Sequence, residues 1–220
     1  MSFAALARRR IGRRGYLSLP GATGCYASTP SSTALNITGD LDLRLKVAMT
    51  DWTPSTQQDL MSKYGASGHR SYMLYLGGDG KPGLIVSATG SGVVTATSSA
   101  ATSVADGAVK WVRTTRVAAT GVVKFYLSDD GASWAQLGTD VSSTASAIYA
   151  SDAEVEVGAS VGGTSHYCTG KFHRAQILNG IDGTVVLDAN FVSTGRSFVE
   201  PASGATVTVH GATAVESIYP

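Results

Sequence analysis

Residues 42–47 read Asp42-Leu-Arg-Leu-Lys-Val47, so charged and apolar side chains alternate strictly. The three apolar side chains share one face of this segment, and the three charged side chains share the other. A period of two is typical of a β-strand that is buried on one side only. The segment therefore predicts a sheet with one face in a core and the opposite face in water.

The same alternation recurs along the chain, interrupted by turns rich in Gly, Asp, Ser and Pro. It predicts further strands at 72–76, 83–89, 93–97, 110–117, 122–128, 134–137, 154–159, 170–179, 184–191 and 205–209. The turns at 77–80 and 129–131 predict hairpins, and 57–64 is the one segment in which we expect a helical turn. Short strands at this spacing predict a single all-β domain, a sandwich or barrel.

Charge is distributed unevenly. The 220-residue chain has 17 Lys and Arg against 16 Asp and Glu, a net charge of +1, and its first acid is Asp40. Five arginines precede that acid: Arg8, Arg9, Arg10, Arg13 and Arg14. Without them the chain has 12 basic and 16 acidic residues, a net charge of −4. We therefore predict a basic arm at 1–15, one domain at 16–212 and a short tail at 213–220.

Several classes of protein are disfavoured by the sequence. No apolar run approaches the roughly 20 residues of a membrane-spanning helix, and the N-terminus lacks the order of charge followed by apolar residues that marks a secretory signal. Two cysteines, Cys25 and Cys168, are too few for a disulfide framework. Because no zinc-ligand spacing is present, we expect no metal and no cofactor.

Five segments carry a resemblance to a known family. They are Gly15-Tyr-Leu-Ser-Leu-Pro-Gly-Ala-Thr-Gly24 with Tyr26-Ala-Ser-Thr-Pro30, Ile37-Thr-Gly-Asp-Leu-Asp-Leu-Arg44 with Asp51-Trp-Thr-Pro54, Val104-Ala-Asp-Gly107 with Trp111-Val-Arg113, Phe125-Tyr-Leu-Ser-Asp-Asp-Gly-Ala-Ser-Trp134, and Gly170-Lys-Phe-His-Arg-Ala-Gln-Ile-Leu-Asn-Gly-Ile-Asp-Gly183. The chain resembles the concanavalin A-like, laminin-G-like jelly-roll domains of bacteriophage virion proteins, especially minor tail proteins of actinobacteriophages. The resemblance covers about residues 15–212 and implies two antiparallel sheets packed face to face.

The resemblance also bears on the two cysteines. It places Cys25 in the first strand region and Cys168 just before a late strand that pairs with the first. A Cys25–Cys168 disulfide is therefore one possibility, and two unpaired small thiols are the other.

Acidic residues at alternate positions are the one catalytic candidate. Asp152, Glu154 and Glu156 fall on one face of a predicted strand, and enzymes with this fold usually carry acids in that way. The Glu-x-Asp-x-x-Glu pattern of the related glucanases is absent. We interpret the acids as water-facing, with Val155 and Val157 in the core, and predict a protein that is not an enzyme.

The turn Ser128-Asp-Asp-Gly-Ala-Ser-Trp134 resembles the Asp-box of sialidases but is one residue short and occurs once. We interpret it as a hairpin turn whose tryptophan packs on an edge of the core. Four acids lie in predicted turns without the spacing of a calcium loop: Asp79, Asp129, Asp130 and Asp182.

Glycan recognition needs flat aromatic faces and polar groups on loops. Six residues near predicted loops are the candidates: Trp52, His69, Arg70, Tyr72, His166 and Tyr167. Each could instead be a packing residue or a solvated one.

The arm has its own candidate residues. Its arginines suit bidentate contacts with carboxylates, and Phe3, Leu6 and Ile11 would add apolar anchors. We expect it to bind an acidic neighbouring protein; the alternative is a disordered basic tail. Nucleic acid is a less favoured partner, because no aromatic residues interleave the arginines and the rest of the chain is acidic.

The sequence thus predicts a virion structural protein, a minor tail protein made in the host cytoplasm. Its arm would attach to other phage proteins of the tail or capsid, and its lectin-like sandwich would contact host cell-wall glycan. Two alternatives are a capsid decoration protein without sugar binding and a secreted carbohydrate-binding module or glycan hydrolase. Homo-oligomers are compatible with all three.

Overall fold

The computed structural model describes residues 14–144, 146–192 and 195–217, with side chains for 15–144, 146–192 and 195–212. In this part of the chain two antiparallel β-sheets pack face to face, and the single helical element is a 3-10 turn at Thr33–Leu35. The predicted all-β sandwich is confirmed, and its architecture is that of a jelly roll.

Sheet A contains nine strands. They are β1 (Arg14–Pro20), β3 (Leu41–Met49), β8 (Lys110–Arg116), β9 (Val122–Ser128), β10 (Ala135–Gln136), β11 (Val141–Ser142), β13 (Thr169–Asn179), β14 (Thr184–Asn190) and β17 (Thr213–Ser217). Their order is β10-β9-β8-β3-β13-β1-β17, with β11 paired to β9 and β14 paired to β13.

Sheet B contains eight strands in the order β15-β16-β2-β12-β4-β5-β6-β7. They are β2 (Tyr26–Thr29), β4 (Gln58–Tyr64), β5 (Arg70–Leu76), β6 (Pro82–Val86), β7 (Val94–Thr97), β12 (Val155–Val157), β15 (Ser197–Val199) and β16 (Thr206–His210).

The core lies between the sheets, where the alternation places it. Leu43, Leu45 and Val47 of β3 are fully buried, whereas Arg44 and Lys46 lie on the outer face of sheet A. Full burial of one such aliphatic side chain contributes about 1.5–3 kcal/mol. The pattern at 42–47 therefore indicated the right faces.

The helical turn expected at 57–64 is wrong. Residues Gln58–Tyr64 form β4, which pairs with both β12 and β5. Leu60 and Met61 are both buried in the core, which is possible because β4 changes register between Asp59 and Met61. Two consecutive apolar residues at an irregularity break the period of two that would have identified the strand.

The two ends of the domain also differ from expectation. Residues 213–217 were predicted as a tail but form β17, which pairs with β1. Arg14 and Gly15 were predicted as part of the arm but begin β1. The other candidate arm residues lie outside the described part of the chain: Phe3, Leu6, Arg8, Arg9, Arg10, Ile11 and Arg13. Arg14 is described only in its backbone.

The first strand pairs with the late strand, as the resemblance implies, with Leu17 opposite Phe172. Of the two alternatives for the cysteines, the structure has the unpaired thiols, because Cys25 and Cys168 are both free. The Cys168 thiol donates to the backbone oxygen of Asp59 at 3.1 Å, whereas Cys25 lies in the turn before β2 of sheet B. Burial raises the pKa of the Cys168 thiol, so this cysteine is an inert core residue.

Candidate functional site

An aromatic strip covers part of the outer face of sheet A. The Arg113 guanidinium lies 5.3 Å from the Tyr126 ring centroid and 5.4 Å from that of Trp134. Trp134 meets Trp111 edge-on, with 6.3 Å between centroids. We call Trp111, Arg113, Tyr126 and Trp134 the aromatic strip. Its members come from the outward positions of β8 and β9 and from the turn that follows β9.

The arginine of the strip is held by a buried carboxylate. Asp42 is 0% exposed and accepts hydrogen bonds from Arg113 at 3.0 and 2.7 Å and from Arg44 at 3.1 and 2.7 Å. The more exposed Asp182 pairs with both arginines and donates its backbone N–H to Asp42. Charge is therefore balanced within this cluster.

The turn at Ser128–Trp134 is the predicted hairpin, since β10 pairs with β9. The Asp130 carboxylate accepts the backbone N–H groups of Ser133 and Ala132 at 2.8 Å. These bonds lower the pKa of Asp130 to about 2. Gly131 has a φ of +77° and lies so near the Trp111 ring that a Cβ there would approach within 2.7 Å. The turn is thus fixed onto the aromatic strip.

A β-bulge in β13 supplies the polar side chains of the site. Phe172 and Ala175 are both fully buried, and the pairing with β3 shifts register between Phe172 and Arg174. With one extra residue between two core positions, His173 and Arg174 both lie on the outer side.

A cleft of about 570 Å³ lies next to the aromatic strip. It is lined by Gly15, Lys46, Val109, Trp111, Asp129, Asp130, His173, Arg174, Asn190 and Val192. The volume is in the range of small-ligand sites, about 300–1,000 Å³. Residues of five strands (β1, β3, β8, β13 and β14) and a fixed turn form its walls, so the cleft is preorganised.

Most of the charges in the cleft have partners. Arg174 makes a bidentate pair with Asp188 at 2.6 and 2.5 Å, and Lys110 pairs with Asp129. Lys46, by contrast, has no hydrogen bond or ion pair with any residue that the structure describes. The cleft therefore contains one free ammonium group.

His173 contributes a free acceptor. Its Nδ1 lies 3.3 Å from the backbone oxygen of Gly15, so Nδ1 carries the proton. Burial lowers the pKa of this imidazole, and Lys46 and Lys171 lower it further. The ring is therefore neutral near pH 7. Its Nε2 is buried and has no partner among the described residues, and without a proton this nitrogen can only accept a hydrogen bond.

The part of the outer face of sheet B that is formed by β2, β12 and β4 is covered by the segment 160–166. Glu156 is 2% exposed and accepts the backbone N–H groups of Gly162 and Gly163 at 2.8 Å each. Asp59 is fully buried and accepts the Ser160 hydroxyl at 2.6 Å. Burial raises the pKa of both carboxyls.

The interpretation of the three alternating acids needs correction. Val155 and Val157 do face the core, and Asp152 is exposed. Glu156, however, lies beneath the covering segment instead of in water. The tight Ser-Gly-rich sequence that follows β12 folds back over the strand.

Two of the six candidate glycan contacts are wrong. Trp52 is 1% exposed, and its indole N–H donates to the backbone oxygen of Ala108 at 3.2 Å. Tyr72 is fully buried, and its hydroxyl donates to the backbone oxygen of Leu35 at 3.1 Å. Both are core residues whose polar atoms are satisfied inside, so neither ring can contact a ligand.

The other four lie on the sheet B side and stay predictions. His69 is exposed and pairs with Asp152 at 2.5 Å. Arg70, at the start of β5, lies 5.2 Å from the Tyr64 ring centroid. His166 and Tyr167 lie at the end of the covering segment, where His166 is 3.4 Å from Asp59. None of the four lines the cleft.

The cleft residues Lys46, His173, Arg174 and Asn190 are not among the candidate site residues that the sequence indicates. One signal was available for two of them. In Phe172-His-Arg-Ala175 two polar residues separate two apolar ones, which breaks the period of two and is typical of a bulge.

The acids predicted in turns are held by the protein itself. Asp79 pairs with Lys81 at 3.2 Å. Within the described part of the chain no three His, Cys, Asp or Glu side chains are grouped as a metal site needs. No helix among the described residues is long and apolar enough to cross a membrane.

No protein-family model and no curated protein matches the sequence. Solved structures do match. A protein from Bacteroides ovatus, provisionally described as carbohydrate-binding, is similar with a TM-score of 0.64 and 13% identity over 96% of this chain and 62% of that one. This chain thus spans about three fifths of that protein.

Two further structures are similar at lower scores. One is the CBM40 domain of the Ruminococcus gnavus IT-sialidase bound to α2,6-sialyllactose, with a TM-score of 0.50 and 14% identity over 78% of this chain and 93% of that one. The other is domains LG4-5 of the mouse laminin α1 chain, with a TM-score of 0.52 and 15% identity over 79% of this chain and 46% of that one. The chain has the concanavalin A-like, laminin-G-like sandwich fold.

Proposed function

We propose that this chain is a glycan-binding jelly-roll module and that the cleft on sheet A is its binding site. The observation that carries the proposal is the set of free groups on rigid walls: the Lys46 ammonium, the His173 Nε2 and the exposed Asn190 amide beside the Trp111 indole. Several convergent polar groups next to an aromatic ring suit a sugar, which offers hydroxyls on its edge and C–H groups on its faces.

Binding fits the cleft better than hydrolysis. Glycosidases use a pair of carboxyls, one of which has a raised pKa and acts as the general acid. Hydrogen bonds within its own turn hold the pKa of Asp130 near 2, and Asp129 is engaged by Lys110. The carboxyls that do have raised pKa values, Asp59 and Glu156, are buried on the other sheet.

The structural neighbours support a glycan as the ligand class. Two of the three are described with carbohydrate, the protein from Bacteroides ovatus and the CBM40 domain of Ruminococcus gnavus. At 13–14% identity the similarity shows the fold alone, so glycan binding by this chain is a proposal.

The test is a glycan array followed by titration calorimetry on the strongest ligands. Asn190→Trp fills the cleft from an exposed position, and His69→Trp is the matched control on sheet B. We expect Asn190→Trp to weaken binding at least tenfold, a loss of about 1.4 kcal/mol or more, and His69→Trp to leave it unchanged. The reverse pattern would move the site to the residues singled out from the sequence.

We propose further that the module is displayed on a bacteriophage particle as a minor tail protein, attached by its N-terminal arm. Support comes from the sequence: the resemblance to phage virion proteins, and the five arginines that precede the first acid. Arginines paired with carboxylates of a neighbouring tail or capsid protein would anchor the arm, and host cell-wall glycan would be the ligand.

Mass spectrometry of purified particles, before and after a high-salt wash, tests this setting. We expect the intact protein in washed particles, and its loss when all five arginines of the arm are replaced by serine. Incorporation of that variant at the normal level contradicts anchoring by the arm. A trimmed form found only in the medium supports the secreted module instead.

A further inference from the structure

Most of the ionised side chains that line the cleft already have hydrogen-bond or ion-pair partners, although no cation among the described residues neutralises Asp130. The two carboxylates of the lining are occupied, Asp129 by the Lys110 ammonium and Asp130 by the N–H groups of its turn. Arg174 is also occupied, since Asp188 binds it in bidentate fashion. The one ionised lining group without a partner among the described residues is Lys46.

The position of Lys46 makes its charge effective. It lies on β3 directly opposite Arg174 of β13, and it is half-buried. A cation in a partly desolvated cleft interacts with an anion more strongly than an exposed lysine does, because less water screens the pair.

A second free group lies next to this ammonium. The bulge places His173 beside the β3–β13 pairing at Lys46, and its Nε2 has no partner among the described residues. A neutral imidazole nitrogen accepts a hydrogen bond but cannot hold an anion. The two groups therefore select different parts of a ligand. Lys46 pairs with a negative charge, and His173 accepts a hydrogen bond from a hydroxyl.

We infer that the cleft selects an acidic sugar, whose anionic group pairs with Lys46 while a neighbouring hydroxyl donates to His173 Nε2. This inference rests on the proposed function and deepens it. A neutral sugar would leave the Lys46 ammonium without a counter-charge in a desolvated site, which reduces its affinity.

The experiment uses the full chain and an array of matched oligosaccharide pairs that differ only in the acidic group. Suitable pairs are oligogalacturonate and sialylated N-acetyllactosamine, each compared with its own carboxyl-reduced form. Lys46→Met keeps the unbranched side chain as far as its fourth atom and removes the charged Nζ. Lys124→Met is the matched control, because Lys124 is a lysine on the outer face of the same sheet that pairs with Asp140 at 3.1 Å and lies outside the cleft.

We expect the acidic oligosaccharide of each pair to bind, and the neutral one to bind at least tenfold more weakly. Lys46→Met should weaken the binding of the acidic ligands about tenfold, and Lys124→Met should change it less than twofold. Equal binding of both members, or acidic binding that Lys46→Met leaves intact, overturns the inference but not glycan binding. Absence of binding to every oligosaccharide overturns the proposed function as well.

Discussion

The outer faces of the two sheets handle buried carboxylates in opposite ways. On sheet A, Asp42 is neutralised by Arg44 and Arg113 from the same and the neighbouring strand. On sheet B, Asp59 and Glu156 have no Lys or Arg partner among the described residues and are bonded mainly by hydroxyl, amide and backbone N–H groups. On sheet A the arginines that pair with Asp42 belong to the sheet, so no covering segment is needed. On sheet B the buried carboxylates are bonded by a segment of chain that lies over them.

The difference explains why the cleft lies on sheet A. The partners of Asp42, Arg44 and Arg113, come from the strands of sheet A themselves, so the cleft beside them stays free for a ligand. Backbone partners come from 160–166, and that segment occupies the space that a ligand would need. The covering segment also includes backbone conformations that side chains rarely adopt, with φ of +56° at Val161 and +46° at His166. Such strain persists only where surrounding contacts compensate for it.

Removal of the carboxylate on sheet A should have the largest effect. Asp42→Ala leaves two arginine side chains, one of them buried, without their main counter-charge. Breaking a buried ion pair in this way costs about 3–5 kcal/mol of unfolding free energy. Urea denaturation monitored by tryptophan fluorescence measures the loss, and the aromatic strip should become disordered because Arg113 is released.

Asp182→Ala is the matched control for this prediction. Asp182 contacts the same two arginines, but its side chain is 67% exposed. Exposed ion pairs contribute about 0–1 kcal/mol. Similar losses for the two variants would mean that the arginines are satisfied jointly by both acids, and that burial of Asp42 is not what stabilises the open face.

An intermediate effect is expected from the covering segment of sheet B. A Cβ on Gly163 would lie 2.4 Å from the Tyr26 ring, whereas a Cβ on Gly162 would meet nothing within 4 Å. Both glycines have positive φ, +70° and +68°, so both alanine variants suffer the same backbone strain of about 1–2 kcal/mol. Only Gly163→Ala must also displace a packed ring, which typically adds about 1–3 kcal/mol.

Thermal or urea unfolding of the two alanine variants isolates the packing of the covering segment on sheet B. Equal destabilisation would show that the segment is loosely seated and can lift from Tyr26. In that case the comparison between an open and a covered face would lose its basis.

The open face was more predictable than the covered one, for a physical reason. Alternation at 42–47 and 110–117 assigns Arg44, Lys46 and Arg113 to the outer side of their strands, because the side-chain period of a strand is two. A covering segment has no such period. The segment 160–166 folds over β12 because the N–H groups of two glycines bond to the Glu156 carboxylate. Neither the glycines nor the acid shows in the sequence which part of the chain the segment will cover.

The cleft itself depends on contacts between distant parts of the chain. It needs β3 beside β13, a bulge at His173 and the turn at Asp129–Asp130 to meet, and each lies far from the others in sequence. The cleft residues were missed, whereas two aromatic residues near turns were wrongly predicted to contact a ligand. Trp52 and Tyr72 lie close to loops along the chain, yet their rings point into the core, and sequence distance from a turn does not report which way a ring faces.

The smallest effect is a difference in pH dependence between the two faces. Burial raises the pKa of Glu156 above its ordinary value, and Glu154 and Asp59 raise it further, despite the two N–H bonds. The folded protein therefore holds this proton more tightly than the unfolded chain does. The stability contributed by Glu156 is present at low pH and is lost as the pH rises through its folded-state pKa. Asp130 on the open face behaves in the opposite way, because its pKa is lowered to about 2; its contribution is present above its ordinary pKa of 3.8 and is lost as the pH falls.

Unfolding free energies at several pH values between 2 and 7, for the wild type, Glu156→Gln and Asp130→Asn, test these slopes. The advantage of the wild type over Glu156→Gln should shrink as the pH rises toward neutrality, and its advantage over Asp130→Asn should grow. Each variant also changes hydrogen bonds by an amount that does not depend on pH, so the slope is the informative quantity. A wild-type advantage over Glu156→Gln that grows with pH would mean that the N–H groups of Gly162 and Gly163 outweigh burial. The covering segment would then be held by an ionised carboxylate, and sheet B, like sheet A, would be stabilised by a charge with matched partners.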